Sequence, residues 1–166
     1  YRGVDVYSDF RDLLAREDID GVIITVPDHA HAVVGLAAAE AGKDMYMEKP
    51  LTFSIAEGRK LVQAVRANKR VLQVGSWQRS RIYFSTACEL VRNGAIGRVE
   101  RVLCSFGDPP VPCDLPEEPM EFGLDWDTWC GQAQPVPFSM NIYLTYNEPG
   151  WHNVSSFSGG WLLNAG

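Results

Sequence analysis

The stretch Asp44–Leu51, DMYMEKPL, joins a candidate strand to a charged turn. A short and mostly apolar run ends there in a carboxylate, an ammonium group and an imino acid, Glu48-Lys49-Pro50. Apolar runs of this length usually become buried strands, and the polar residues that follow mark the point where such a strand leaves the core. We therefore predict a strand at Asp44–Met47 and a turn at Glu48–Pro50.

Two neighbouring segments indicate further strands of the same sheet. Gly21–Val26, GVIITV, is rich in β-branched residues and typical of a strand buried on both faces of a parallel sheet. Arg70–Val74, RVLQV, is the third predicted strand. Helices are predicted between the strands, at His29–Ala41 and from the S-x-x-E capping box of Ser54 to about residue 68. The alternation predicts an α/β protein with a parallel sheet and helices on its faces.

The flanking segments carry three further predicted elements. Tyr7–Glu17 is predicted as a helix with Ser8 as its N-cap, and Phe84–Asn93 as a helix that glycines close. Arg98–Phe106 alternates apolar and polar residues, which predicts a long strand. Prolines and tryptophans cluster after Phe106 and indicate a second structural region with long loops.

Size and charge narrow the class of protein. The 166 residues suggest one domain, or one domain and part of another. The net charge of −6 gives no sign of a nucleic-acid or anionic-membrane partner. No apolar run approaches about 18 residues, so we expect no membrane span, and we expect a cytoplasmic protein. The chain begins at Tyr1 rather than at a methionine, and we expect it to be a fragment of a longer protein.

Polar turns follow all three predicted strands, and ligands of open parallel sheets bind at the carboxyl ends of the strands. The turns are Pro27–His31, Glu48–Pro50 and Gly75–Arg79. One such turn alone is more often a solvated loop, but three at one edge predict a shared site. A lysine near apolar walls can exchange a proton or bind an oxyanion, which makes Lys49 the candidate catalytic residue. Glu48 beside it would orient the lysine or set its charge.

Several segments together carry a resemblance to a known family. They are VIITVPDHAH, AGKDMYMEKPL, VGSWQRS, RNGAIGRV, LDWDTWCG and SGGWLLNAG. The sequence resembles the Gfo/Idh/MocA family, the relatives of glucose-fructose oxidoreductase and inositol dehydrogenase, over about Tyr7 to Gly166. The E-K-P-L element with its upstream T-x-P-x-x-x-H is the most specific part.

The resemblance implies the last part of a Rossmann-type nucleotide domain at residues 1–76 and the first part of an α/β substrate domain at residues 77–166. It implies NAD or NADP as the cofactor, hydride transfer at a sugar or cyclitol hydroxyl, and a homo-oligomer when the protein is full length. The same resemblance implies which residues would contact the cofactor: Thr25, Pro27, His29, His31, Glu48, Lys49, Pro50, Gln78 and Arg79.

Several candidate site residues also have a purely structural interpretation. His29 fits a helix cap as well as a cofactor contact, His31 is better placed for the ligand, and the two lack a third partner for a metal site. Trp77 is the candidate platform for a sugar ring, and Arg79 would pair with a phosphate or carboxylate unless it forms a surface salt bridge. His152 lines the substrate side in this interpretation, with a loop histidine of no role as the alternative.

The sequence departs from the family at two places. It contains no G-x-G-x-x-G, so the turn that cradles the pyrophosphate is absent. The family pattern D-x-G-x-H-x-x-D appears only as Asn164-Ala165-Gly166, where Asn164 is a further substrate-side candidate at a position that often holds Asp. The acid–base histidine would lie beyond Gly166. We therefore expect these 166 residues alone to bind NAD weakly and to show little or no activity.

Three function hypotheses remain open at this point. The first is an NAD(P)-dependent oxidoreductase acting on CH–OH groups. The second is a redox-neutral, NAD-dependent glycosidase of the same family, which would not accumulate free reduced nicotinamide. The third is a non-catalytic nucleotide-binding protein, which would lack an acid–base group two positions after Gly166.

Overall fold

A computed structural model describes residues 3–143 and 150–165 of the chain. Its sheet has three parallel strands in the order β1-β2-β3, namely β1 (Gly21–Ile24), β2 (Asp44–Glu48) and β3 (Leu72–Gly75). The register places Ile23, Tyr46 and Gln73 side by side across the sheet. The predicted order of strands and helices and the α/β class are confirmed.

Seven helices of the described ranges accompany the sheet, and most of them lie where the sequence predicts a helix. The first is shorter than expected, and its N-cap is Asp9, whose carboxylate accepts from the backbone N–H of Arg11 at 2.8 Å. The prediction of Ser8 as the cap is therefore wrong by one residue. The helices are α1 (Phe10–Leu14), α2 (His31–Glu40), α3 (Ile55–Ala67), α4 (Ile82–Arg92), α5 (Trp126–Cys130), α6 (Met140–Tyr143) and α7 (Gly160–Ala165).

The capping box of α3 forms as the sequence predicts. The Ser54 hydroxyl accepts from the backbone N–H of Glu57, and the Glu57 carboxylate accepts from the backbone N–H of Ser54 at 2.8 Å. Two N–H groups that the helix itself cannot pair are thereby satisfied. This local motif fixes where α3 begins after the turn that leaves β2.

Helices α2 and α3 cover one face of the sheet and enclose the first hydrophobic core. Ile24, Met45 and Met47 point into this core and are buried, whereas Ile23 is 75% exposed on the other face. The expectation that the Gly21–Val26 strand is buried on both faces is therefore wrong. Within the described residues β1 is an edge strand, and its side chains alternate between the helices and solvent.

Gly35 allows α2 to lie close over the sheet. A Cβ atom at this position would lie 2.4 Å from Cε of Met47 and 3.2 Å from Cδ1 of Leu61. Protein interiors are too densely packed to absorb such an overlap without movement. The glycine thus sets the distance between α2 and β2, and with it the position of the turn that follows β2.

The segment Arg98–Phe106 does not form the predicted long strand. Alternation gives a strand only when a neighbouring strand supplies backbone hydrogen bonds and a buried face. In residues 3–143 and 150–165 the segment pairs with no strand, and Val102 and Leu103 are 75% and 85% exposed. The preceding helix α4 contacts the 3₁₀ turn Trp77–Ser80 and leaves most of its own apolar side chains exposed.

A second hydrophobic core lies in the proline- and tryptophan-rich region, as the change in composition indicates. The rings of Trp126 and Trp129 stack at 4.5 Å, and the Trp126 indole N–H donates to the carbonyl of Val136 at 2.9 Å. No described helix is both long and apolar enough to cross a lipid bilayer. The buried members of this core are Trp126, Cys130, Phe138, Ile142, Val154 and Phe157.

Candidate functional site

A cleft of about 320 Å³ opens at the carboxyl edge of the sheet. It combines the turn after β2, the turn after β3 and the last described helix, α7. Five candidates predicted from the sequence, one of them on α7, therefore share one cavity. The residues that line it are Lys49, Gly75, Ser76, Trp77, Gln78, Arg79, Trp161 and Asn164.

Lys49 occupies the turn that leaves β2, and its peptide bond to Pro50 is cis. The lysine is partly buried, and its ammonium group donates to the side-chain oxygen Oδ1 of Asn164. The two residues lie 115 positions apart in the sequence. The contact brings the predicted catalytic residue and the predicted substrate-side residue together at the cleft.

Asn164 also contacts a residue that sequence reasoning did not select. Its side-chain nitrogen Nδ2 donates to both carboxylate oxygens of Asp28, at 3.3 and 3.2 Å. The Ser158 hydroxyl donates to Oδ2 of Asp28 at 2.6 Å and accepts from the backbone N–H of Gly160 at 3.0 Å. Asp28 thus anchors the start of α7 and the amide at its end.

Gly160 makes the turn into α7 possible. Its φ angle of +71° lies in the left-handed region that side chains rarely adopt. A Cβ atom there would also lie 2.5 Å from Cδ of Pro110. The glycine therefore allows Ser158 and Asn164, on either side of it, to reach the same carboxylate.

The Asp28 carboxylate is buried, with 2% of the residue exposed. Burial raises the pKa of Asp28 above its usual range, and the Ser158 hydroxyl, His31, Lys49 and the Asn164 amide act against this rise in the pKa. Among the described ion pairs none involves Asp28, so its charge is compensated by hydrogen bonds and by cations at a longer distance.

His31 lies behind the cleft rather than in it. The ring is 1% exposed, and its two nitrogens face backbone carbonyl oxygens, Nε2 that of Val26 at 2.8 Å and Nδ1 that of Pro50. The residue therefore links the end of β1 to the turn after β2 and supports the position of Lys49. A direct contact of His31 with the cofactor stays a prediction.

His29 joins the sheet region to the aromatic core. Its Nε2–H donates to the carbonyl of Trp129 at 2.9 Å, and its ring packs at 5.3 Å from Trp129 and 5.0 Å from Phe157. Burial lowers the pKa of His29 below its usual value. Within the described residues Nδ1 has no hydrogen-bond partner, which is consistent with a neutral ring. The cofactor role predicted for His29 stays a prediction.

Glu48 points toward β3 and not toward the lysine ammonium. Its carboxylate accepts from the backbone N–H of Lys49 at 3.2 Å and lies beside Gly75, where an added Cβ would be 2.8 Å from Oε1. The described ion pairs include none between Glu48 and Lys49. Glu48 therefore shapes the backbone of the turn, whereas the ammonium group of Lys49 faces Asn164.

The aromatic candidates lie on the rim of the cleft. Trp77 is 41% exposed, and the Arg81 guanidinium covers its ring at 3.9 Å. His152 packs at 5.2 Å from Trp161, a lining residue, and is itself outside the cavity. Trp161 is thus a wall residue of the cleft that the sequence did not single out.

Two further cofactor candidates do not line the cleft. Thr25 is exposed at the end of β1, and Pro27 is partly buried at the start of the next turn. Asp28, which accepts from Asn164, and Ser158, which donates to Asp28, were missed because the sequence marks them only as parts of a P-D-H turn and an S-G-G run. Gly166, the last residue of the N-A-G pattern, lies outside the described residues.

The donors of the cleft fit part of a dinucleotide. The ammonium of Lys49, the amide of Gln78, the guanidinium of Arg79 and the hydroxyl of Ser76 are complementary to carboxamide, ribose or phosphate oxygens. Nowhere in residues 3–143 and 150–165 do three His, Cys, Asp or Glu side chains group as a metal site requires. The donor set thus suits a nucleotide.

A parallel sheet with polar donors at its carboxyl edge is typical of Rossmann-fold nucleotide-binding proteins. Residues 1–76 match the model of the GFO_IDH_MocA family, described as an oxidoreductase family with an NAD-binding Rossmann fold. Over these residues the chain is similar to the Gfo/Idh/MocA family of NAD-binding oxidoreductases.

Individual relatives agree with this match. The chain is 38% identical over 107 residues to the uncharacterized oxidoreductase YrbE of Bacillus subtilis (strain 168), which covers 64% of this chain and 31% of the relative. It is 34% identical over 93 residues to inositol 2-dehydrogenase of Salmonella paratyphi B, which covers 55% of this chain and 28% of the relative. The matched residues thus span less than a third of either relative.

A solved structure shows the same fold over part of the chain. A 3-ketoreductase from Actinomadura kijaniata, in complex with TDP-benzene and NADP, is 27% identical with a TM-score of 0.52. The match covers 54% of this chain and 28% of that protein.

Proposed function

We propose that the whole protein is an NAD(P)-dependent oxidoreductase that transfers a hydride between nicotinamide and a hydroxyl-bearing carbon of a sugar or cyclitol. The observation that carries the proposal is the position of the Lys49 ammonium, which faces Asn164 in the cleft at the carboxyl edge of the sheet. The match of residues 1–76 to an NAD-binding family supports the cofactor, and the names of relatives such as inositol 2-dehydrogenase support the substrate class.

Lys49 is the residue that would act on the reacting oxygen. Oxidation of an alcohol removes the hydroxyl proton and leaves negative charge on the oxygen as the hydride departs. An ammonium group within hydrogen-bond distance of that oxygen stabilises the charge, and its effect is large in a cleft that excludes water. The bound nicotinamide would supply the hydride chemistry, accepting the hydride in oxidation or donating it in reduction.

Asn164 would position Lys49 and would not exchange protons itself. A side-chain amide has no titratable proton near neutral pH, so it can accept the lysine hydrogen bond but cannot serve as the base. The proton of the alcohol would have to pass to another acid–base group. Lys49, which lines the cleft, would help to relay the proton to that group.

The other residues of the cleft would hold the two ligands. Gln78 and Arg79 would contact oxygens of the cofactor or substrate, and Trp77 would offer a ring face to a sugar. We also propose a domain boundary at residue 76, with the substrate domain starting at residue 77, and a homo-oligomeric whole protein.

The function is tested by following reduced nicotinamide by its absorbance while the whole protein meets inositols and simple sugars with NAD or NADP. The proposal expects saturable reduction with at least one substrate of this class. Cofactor binding without turnover of any such alcohol would contradict it and favour a non-catalytic protein. Cleavage of a glycoside without net formation of reduced nicotinamide would favour the redox-neutral glycosidase.

A further inference from the structure

Asp28 is a buried carboxylate that the proposed reaction does not use directly. Its oxygens accept from the Ser158 hydroxyl at 2.6 Å and from Nδ2 of Asn164 at 3.2 and 3.3 Å. A buried carboxylate is costly unless its oxygens are satisfied and an opposite charge lies near. Here the nearest cation across Asn164 is Lys49, which donates to the opposite end of the same amide.

The chemistry of the three groups leaves one orientation for the Asn164 amide. An ionised carboxylate only accepts hydrogen bonds and an ammonium group only donates them, whereas an amide has one donating and one accepting end. The NH₂ end must therefore face Asp28, and the oxygen must face Lys49. A flipped amide would put its NH₂ group against the ammonium and its oxygen against the carboxylate.

We propose that Asp28 is the positioning carboxylate of this site, which fixes the Asn164 amide and through it supplies the negative charge that Lys49 faces. The proposal deepens the proposed function and rests on it for its catalytic consequence. The hydrogen bonds of Asn164 to Asp28 and Lys49 can be tested without any substrate.

Asp28 and Asn164 form a complementary pair. An aspartate at position 164 would place a second carboxylate about 3 Å from the first, and two carboxylates at that distance cannot both ionise. With Asp28 present, asparagine at position 164 keeps one negative charge in the pair. The charge can also be moved, because the double variant Asp28→Asn/Asn164→Asp keeps one carboxylate and one amide and puts the carboxylate directly against Lys49.

Among the described residues, few charged groups other than Lys49 lie close to Asp28. The titratable neighbours are His29 and His31 from its own turn and α2, and Lys49 from the turn after β2. The contact from the aromatic region and α7 is neutral, through Ser158 and Asn164. Of these three neighbours only Lys49 lines the cleft, so the charge of Asp28 matters there for Lys49.

The first experiment observes the Asn164 side-chain amide by heteronuclear NMR in the whole protein labelled at asparagine. We expect its proton resonances to move upfield in Asp28→Ala, to move less in the isosteric Asp28→Asn, and to stay in place in Asp114→Asn, an exposed control. Resonances unchanged in both Asp28 variants would overturn the proposal. This readout needs no turnover, so it decides the proposal even if the whole protein oxidises no sugar or cyclitol.

The second experiment is a charge swap measured as turnover and KM in the whole protein. Asp28→Asn and Asn164→Asp each should lower kcat by about tenfold to a hundredfold with little change in KM, the range expected for directly coupled residues. The double variant should recover most of the loss, which a purely structural role of Asp28 does not predict. A double variant as slow as the product of the two single losses, or Asp28→Asn as active as Asp114→Asn, would overturn the proposal.

Discussion

The ammonium group of Lys49 donates to Oδ1 of Asn164, across 115 positions of sequence. Lys49 follows the second strand of the sheet, and Asn164 lies in the last turn of α7. The contact therefore joins two walls of the cleft, one from the turn after β2 and one from α7. It also places a neutral amide, rather than a carboxylate, directly against the lysine.

Loss of the α3 cap should destabilise the fold. Ser54→Ala removes the hydroxyl that accepts from the N–H of Glu57, and such losses cost about 1 kcal/mol in the free energy of unfolding. Urea unfolding measures the effect. Ser8→Ala is the matched control, because the first helix uses Asp9 as its cap. Equal losses in both variants would mean that the capping box contributes nothing specific.

His29 should make the stability fall in mild acid. Burial holds the pKa of His29 below its unfolded value of about 6.5, so its contribution is fully present above that pH and is lost as the pH falls through the folded pKa. The free energy of unfolding of the wild type, measured relative to His29→Gln, should be smaller at about pH 5 than at about pH 8. The same difference at both pH values would show that the ring titrates normally.

Asp28 should act on stability with the opposite sign. Burial raises the pKa of Asp28, so its contribution is fully present below the unfolded pKa of about 3.9 and is lost as the pH rises through the folded pKa. Asp28→Asn should therefore gain stability relative to the wild type as the pH rises from about 4 to about 7. Denaturant unfolding across this range measures the trend. If the stability of Asp28→Asn relative to the wild type falls over this pH range, the pKa of Asp28 is not raised. If Asp28→Asn is more stable than the wild type at neutral pH but turns over more slowly, the carboxylate serves the active site at a cost in stability.

The sequence carries the parts of the fold that local patterns encode. The order of strands and helices along the chain follows from apolar runs and their spacing. The start of α3 follows from the reciprocal hydrogen bonds of Ser54 and Glu57. The carboxyl edge with Lys49, Gln78 and Arg79 follows because parallel strands end at the same side of a sheet. The cap of α1 was misplaced by one residue because Ser8 and Asp9 are both good caps and only geometry separates them.

Other features depend on contacts between residues far apart in sequence. Asp28 and Asn164 are 136 positions apart, and no local pattern marks either as the partner of the other. The ring contacts of His29 with Trp129 and Phe157 likewise arise from packing between the two regions. Arg98–Phe106 has the alternation of a strand, but a strand also needs a partner, which a pattern within one segment does not supply.

Turnover of Lys49→Met in the whole protein shows whether Lys49 acts on the reacting oxygen. We expect kcat to fall by roughly two to four orders of magnitude, the usual range for a lost acid–base group, with the fold unchanged by circular dichroism. Lys60→Met, which removes an exposed lysine of α3, should keep the wild-type rate. Turnover of Lys49→Met equal to that of Lys60→Met would contradict the claim and remove Lys49 from the mechanism.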